Sequence, residues 1–292
     1  MRKFKENIIE KLLFSSAIFT KLTTLSIIGI LLYEAIQFFE EVPLFDFLTD
    51  TQWTPLFDDK HFGILPLLSG TLLTSFIAIA IALPIGLSIA IYLNEYANKK
   101  FRKIIKPILE LLAAVPSVVY GFFALIIVTP ALQSFIPGMS GFNSLSAGIV
   151  MAIMILPFIS SLSEDALFAV PKNLREASYG MGATRFQTVF RVTIPAANSG
   201  IIVSVILAIS RAIGETMIVA IAAGQQPRLT ANPLVPVETI SAYIVQVSLG
   251  DVPHNSLEYR TIFAAGITLF VFTFLLNNVS FWLRKKYQRK YA

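Results

Sequence analysis

The sequence predicts an all-α integral membrane protein that crosses a bilayer six times with both ends in the cytoplasm. Three observations predict it: scarce charge, apolar runs as long as a membrane span, and basic residues confined to alternate connections. Of 292 residues, 55% are hydrophobic and 14% charged, where an average soluble domain carries roughly 25% charged residues. The apolar residues come in runs of about twenty, the length an α-helix needs to cross a hydrocarbon core about 30 Å thick. Within that core each backbone amide has to be bonded inside its own segment, so the runs read as helices.

Taken in order, the expected spans are 22–39, 69–93, 109–128, 145–162, 196–221 and 261–283. Polar residues interrupt two of them, Glu34 in the first and the pair Arg211 and Glu215 in the fifth. The first is not read as a cleavable signal, because Gln37, Phe38, Phe39, Glu40 and Glu41 follow it instead of a small-residue cleavage site. On this reading residues 1–62 form an N-terminal segment, first helix and external loop, and 63–292 form a core of five spans.

Orientation follows from the cations. Arg2, Lys3, Lys5, Lys11 and Lys21 precede the first span, and Lys99, Lys100, Arg102, Lys103 and Lys106 separate the second from the third. Lys172, Arg175, Arg185 and Arg191 separate the fourth from the fifth, and Arg284, Lys285, Lys286, Arg289 and Lys290 close the chain. The other side holds Lys60, Arg228 and Arg260. The basic side is placed in the cytoplasm by the positive-inside rule. The net charge of +5 therefore flanks membrane spans, where anionic lipid attracts it, and does not call for nucleic acid. The absence of cysteine excludes disulfides and thiolate metal sites.

The connections differ in character. Residues 40–62 carry Glu40, Glu41, Asp46, Asp50, Asp58 and Asp59 around Trp53, a stretch that reads first as a solvated loop with an interfacial Trp and second as a cap or an external contact. In residues 222–260, Pro227, Pro233, Pro236 and Pro253 break regular structure, with a short apolar helix expected near 240–247. Pro84 and Pro157 lie inside spans two and four, where they can kink the helix and free carbonyls, and read as structural and not catalytic. The cytoplasmic stretch 163–195 predicts two short helices. One starts after Pro171, since proline is tolerated in the first helical turn, and presents Leu174, Ala177, Ser178 and Met181 on one face. The other runs 184–192, beyond Gly180 and Gly182. Such a hairpin is either a docking knuckle or a surface element lying on the membrane.

Glu176, Ala177 and Ser178, then Gly182, then Val192, Ile194 and Pro195 resemble the EAA loop of ABC importer permeases. Ser178, Val192 and Ile194 replace the pattern's Ala, Ile and Leu. The resemblance implies a type I permease fold in which Glu176, Ala177, Ser178, Gly182, Ala183 and Pro195 belong to a coupling helix inserted into an ATPase subunit. The strings 114–121 (AVPSVVYG), 162–167 (LSEDAL) and 210–217 (SRAIGETM) resemble more closely the phosphate-transport branch of the PstC type. That resemblance runs from about residue 63 to 283. It implies a second, PstA-type permease subunit, an ATPase dimer, an external phosphate-binding protein, and no cofactor in this chain, with ATP held by the partner ATPase.

An anion that crosses hydrocarbon needs cationic or hydrogen-bonding groups along its way. Arg211 is the one Lys or Arg deep within an expected span, and intramembrane charge is costly, about 2.5–3.5 kcal/mol at a helix centre on insertion scales. Its guanidinium fork suits phosphate oxygens. Glu215, one turn on, is either a resting counter-charge that opens to substrate or a permanent structural partner. Ser210, Thr216, Ser117 and Tyr120 are further candidates for the pathway, against the ordinary use of such groups in helix packing.

The sequence has no G-x-x-x-x-G-K-[ST] loop to cradle ATP phosphates, and His61 and His254 lie in different external loops. Three classes remain: an ABC permease for phosphate or another oxyanion such as molybdate or sulfate, an ion-driven secondary transporter, and a membrane-embedded enzyme. The second lacks a visible two-halved repeat, and its deep acids reduce to Glu34, Glu110 and Glu215. The third lacks a convergent catalytic cluster.

Overall fold

The computed structural model describes residues 2–254 and 256–291. The side chains of 2–5, 8, 280, 281 and 283–291 are outside that description, and with them the basic groups expected at both ends of the chain, from Arg2 to Lys5 and from Arg284 to Lys290. The described residues form thirteen α-helices and no strand: α1 Arg2–Glu41, α2 Leu44–Thr49, α3 Leu65–Ile91, α4 Lys99–Ala114, α5 Ser117–Phe123, α6 Thr129–Gln133, α7 Ser144–Phe168, α8 Lys172–Gly180, α9 Arg185–Thr188, α10 Ile194–Ile213, α11 Met217–Ala222, α12 Ile240–Leu249 and α13 Leu257–Tyr291. Three π-helical turns, Tyr92–Tyr96, Ala124–Val128 and Val189–Thr193, join or extend these rods. Five helices are long and apolar enough to cross a membrane, and α4 with α5–α6 make a sixth, bent candidate.

The third span differs from expectation. Residues 109–128 are not one rod, because α4 and α5–α6 meet at 89°. Pro116 lacks an N–H and disfavours helical geometry at the residue before it, and Val115 is extended, with ψ 130°. The fifth span also breaks. α10 stops at Ile213 and α11 begins at Met217, so 196–221 is two helices around Gly214, Glu215 and Thr216. Pro84 and Pro157 lie inside α3 and α7, which continue through them.

α7 is the axis of the bundle. Asn143 caps it by accepting the Ser146 N–H at 2.7 Å, and its buried residues Ala147, Val150, Met151, Met154, Ile155 and Ile159 pack with α3, α5, α10 and α11. Small residues let the helices close up, as they do within membranes generally. A Cβ on Gly148 would sit 2.6 Å from Ile77 Cγ2 on α3.

α1 and α13 pack together, and Arg260 at the start of α13 pairs with Glu41 (3.0 Å) and Glu34 (3.8 Å) near the end of α1. The two helices are therefore antiparallel. Most apolar side chains of α1 from Ile9 to Ile36 are exposed, the surface expected of a helix facing lipid.

At this same end of the bundle, Phe38, Phe47, Trp53, Ile64, Tyr243 and Ile262 form a second core. Trp53 is buried, its ring edge-on to Tyr243 with centroids 5.0 Å apart. Trp53 is thus an internal anchor and not an interfacial residue, because the loop folds back over α12 instead of lying open to solvent. A third core, Ala90, Leu167, Val170, Ala197 and Ile201, closes the opposite end beneath the α8–α9 hairpin.

Candidate functional site

The break in the fifth span is built by one acid. Past Gly214 the chain leaves α10, and the Glu215 carboxylate Oε1 accepts the N–H of Met217 at 3.2 Å and of Ile218 at 3.4 Å. Those are the orphan donors of a new helix start, which an acidic side chain is suited to satisfy. Ser241 on α12 donates to the Glu215 backbone carbonyl at 2.6 Å, fixing the linker from behind.

The other carboxylate oxygen, Oε2, lies 3.8 Å from Arg211 Nη2, with the Glu215 side chain 3% exposed and that of Arg211 48% exposed. Arg211, in the last turn of α10, lies against the middle of α7, with its guanidinium 5.9 Å from the Phe158 ring centroid and Nη2 3.9 Å from Met154 Sδ. The pair is therefore lopsided, with a fixed, buried anion and a half-free cation.

Arg211 opens on a cavity of about 460 Å³ walled by α4, α7 and α10, whose lining includes Lys106, Glu110, Pro157, Phe158, Glu164 and Leu207. The other pathway candidates are elsewhere. Ser210 donates to Asn277 Oδ1 of α13 at 3.3 Å, and Thr216 donates to the Gly214 carbonyl at 3.2 Å. Ser117 opens α5, and the buried Tyr120 donates to the Leu112 carbonyl at 2.7 Å, bracing the α4–α5 bend. None of these four lines the cavity.

The coupling candidates gather on the hairpin at the opposite end from α2 and α12. Pro171 precedes α8, and Gly182 turns the chain at φ +83°, a left-handed conformation that glycine adopts without Cβ strain. Thr184 and Gln187 close a reciprocal capping box on α9. Ser178, where the pattern has Ala, bonds with Thr188 at 2.9 Å and ties the two helices together. Glu176, Ala177 and Gly182 are exposed, Ala183 and Pro195 half-buried. Leu174, Tyr179, Met181 and Phe186 project outward, Met181 at 89% exposure.

Sequence reasoning missed the buried acids around this region. Glu164, near the end of α7, is 1% exposed and lies 2.6 Å from Arg102 Nε and 3.6 Å from Lys106 Nζ of α4. Glu95, in the π-helical turn after α3, lies 3.2 Å from Arg175 Nη1 of α8. Their signal was present as acids at the ends of long apolar runs, each facing a basic connection. Near the other end, Glu238 is 2% exposed beside Gly70 of α3, and burial pushes its carboxyl from 4.5 up to about 8. Glu34, within the first candidate span, lies 3.8 Å from Arg260.

Residues 82–291 match the family described as binding-protein-dependent transport system inner membrane component. A probable ABC transporter permease protein YqgH of Bacillus subtilis is 36% identical over 79% of this chain and 74% of its own. The phosphate transport system permease protein PstC of Mesorhizobium japonicum is 36% identical over 80% of this chain and 76% of its own. PstC of Haemophilus influenzae is 33% identical over 94% and 92%. Among solved structures, a bacterial ABC transporter involved in import of the acidic polysaccharide alginate superposes with a TM-score of 0.65 at 19% identity, covering 98% of this chain and 99% of that one. The MetNI methionine ABC transporter in an inward-facing conformation gives 0.57 at 20% identity, covering 77% and 94%.

Proposed function

Because the chain belongs to the family of binding-protein-dependent transport system inner membrane components, we propose that it is a permease subunit of an ATP-driven phosphate importer, of the PstC type. The observation that carries the substrate is the 30–36% identity to phosphate permeases over most of the chain. The chemistry of Arg211 agrees with it. A guanidinium that is half-exposed at mid-bundle, and only loosely held by its carboxylate, can exchange that partner for a phosphate oxygen pair. Molybdate and sulfate share that oxyanion chemistry and are the competitors to test.

In this reading the chain does no catalysis and holds no cofactor. ATP is bound and hydrolysed by an ATPase dimer, whose closure displaces the α8–α9 hairpin. A second, PstA-type permease completes the pathway across the open side of the Arg211 cavity, and an external phosphate-binding protein delivers substrate at the end capped by α2 and α12. The subunit resides in the cytoplasmic membrane with both termini and the hairpin on the inner side.

The test is radiolabelled phosphate uptake into proteoliposomes holding the complete transporter. Uptake requires ATP on the ATPase side, resists sulfate and molybdate, and disappears in Arg211→Gln while the complex still assembles. Uptake that survives ATP removal, or that an ion gradient alone sustains, contradicts the reading. Normal uptake by Arg211→Gln removes Arg211 from the pathway.

A further inference from the structure

α8 is joined by the chain itself to α7 on one side and, through α9, to α10 on the other. α3 has no such connection, yet it packs along the whole of α7 and against α10. Arg175 reaches from the hairpin to the π-helical turn Tyr92–Tyr96 that extends α3. The Arg175 side chain is 18% exposed and turns inward from α8. Its Nη1 lies 3.2 Å from Oε1 of Glu95, which is 5% exposed, and its Nη2 donates to the Leu167 carbonyl at the end of α7 at 2.6 Å.

One guanidinium thus holds two bundle helices at once. Asn94 donates to the same Glu95 oxygen at 3.0 Å, fixing the acceptor. Arg185 at the start of α9 adds a second hold on the same π-helical turn, its guanidinium 5.4 Å from the Tyr96 ring centroid. A π-helical turn is a recurrent mark of functional sites in helices, and this one, Tyr92–Tyr96, is gripped by both helices of the hairpin.

We infer that Arg175 is a positioning residue that links α8 to α3, passing displacement of the hairpin to that helix as well as to α7 and α10. The inference rests on the permease reading above and deepens it by naming the joint. Its physical basis is the rigidity of a buried charge pair. A forked donor bound to a fixed carboxylate and a fixed carbonyl cannot slide without leaving a charge unpaired in a buried place, so α8 and the end of α3 move as one body. The exposed Glu176 beside it has no comparable partner among the described contacts and faces outward.

The experiment measures ATP hydrolysed per phosphate taken up, in proteoliposomes of the complete transporter. Glu95→Gln keeps the shape of the site and weakens the link. The expected result is a normal amount of assembled complex, ATP hydrolysis within twofold of native, and uptake lowered about tenfold, so the ratio rises at least fivefold. Arg175→Lys, which keeps the charge and loses the fork, gives an intermediate ratio.

Should either single variant fail to assemble, the double replacement Glu95→Met with Arg175→Met removes both charges together and leaves neither unpaired, and the same raised ratio is expected. A native ratio in an assembled Glu95→Gln or double-Met transporter overturns the joint. Native transporter that shows no ATP-dependent uptake overturns instead the functional reading on which the joint rests.

Discussion

Glu215 divides its carboxylate between two tasks, with Oε1 accepting the N–H groups that begin α11 at 3.2 and 3.4 Å and Oε2 standing 3.8 Å from the Arg211 guanidinium. The first task is structural and the second electrostatic, and they separate by mutation. The amide oxygen of Glu215→Gln can still cap α11, and the arginine it releases is half-exposed, so the loss of stability is below about 1 kcal/mol. Glu215→Ala removes the cap and costs about 1–2 kcal/mol. Denaturation of the purified protein in detergent checks the order, and equal losses in the two variants contradict the capping role.

Glu238 gives the protein a pH dependence of predictable sign. In the unfolded chain its carboxyl releases a proton near the ordinary 4.5, whereas the buried side chain holds it until about 8. Between those values the folded state binds the extra proton, so this residue's contribution falls as pH rises through the window. Glu238→Gln stays neutral throughout. Melting temperatures at pH 5 and pH 8.5 are expected to differ more for the native protein than for the variant. An unchanged difference contradicts a buried, protonated Glu238.

Met181 is 89% exposed at the tip of the hairpin, flanked by exposed Tyr179 and Phe186. A side chain that contributes nothing to the bundle is free to seat in a partner. Met181→Asp is expected to leave folding within about 0.5 kcal/mol of native, the usual range for a surface change, while co-purification of the ATPase falls at least tenfold. Undiminished co-purification contradicts docking through this tip.

Much of this architecture was legible in the sequence because membrane insertion imposes long, one-dimensional signals. The apolar runs found the spans, Pro171 and Gly182 marked the limits of α8, and the short apolar stretch near 240 became α12. Local backbone chemistry was harder to read from hydropathy. Val115 and Pro116 turn the chain through 89° inside a run that stays apolar across the corner, and Gly214 to Thr216 break a span whose composition does not change.

The candidate site was only half visible for a related reason. Arg211 and Glu215 are neighbours along one stretch of chain, so spacing alone could pair them. Arg175 with Glu95, and Arg102 with Glu164, are separated by 80 and 62 positions of sequence, and only the packing of α8 and α4 against the bundle brings each pair together. Trp53 was misread because its burial depends on Tyr243, far away in the chain.

The claim on which the rest depends is that the α8–α9 hairpin lies on the ATPase side of the membrane. The chain has no cysteine of its own, so a single Ala177→Cys, exposed on α8, reports its side without background, and Thr51→Cys, exposed near α2, reports the other. In right-side-out vesicles an impermeant maleimide is predicted to label Thr51→Cys at once and Ala177→Cys only after the membrane is opened. Labelling of Ala177→Cys in sealed vesicles contradicts the account.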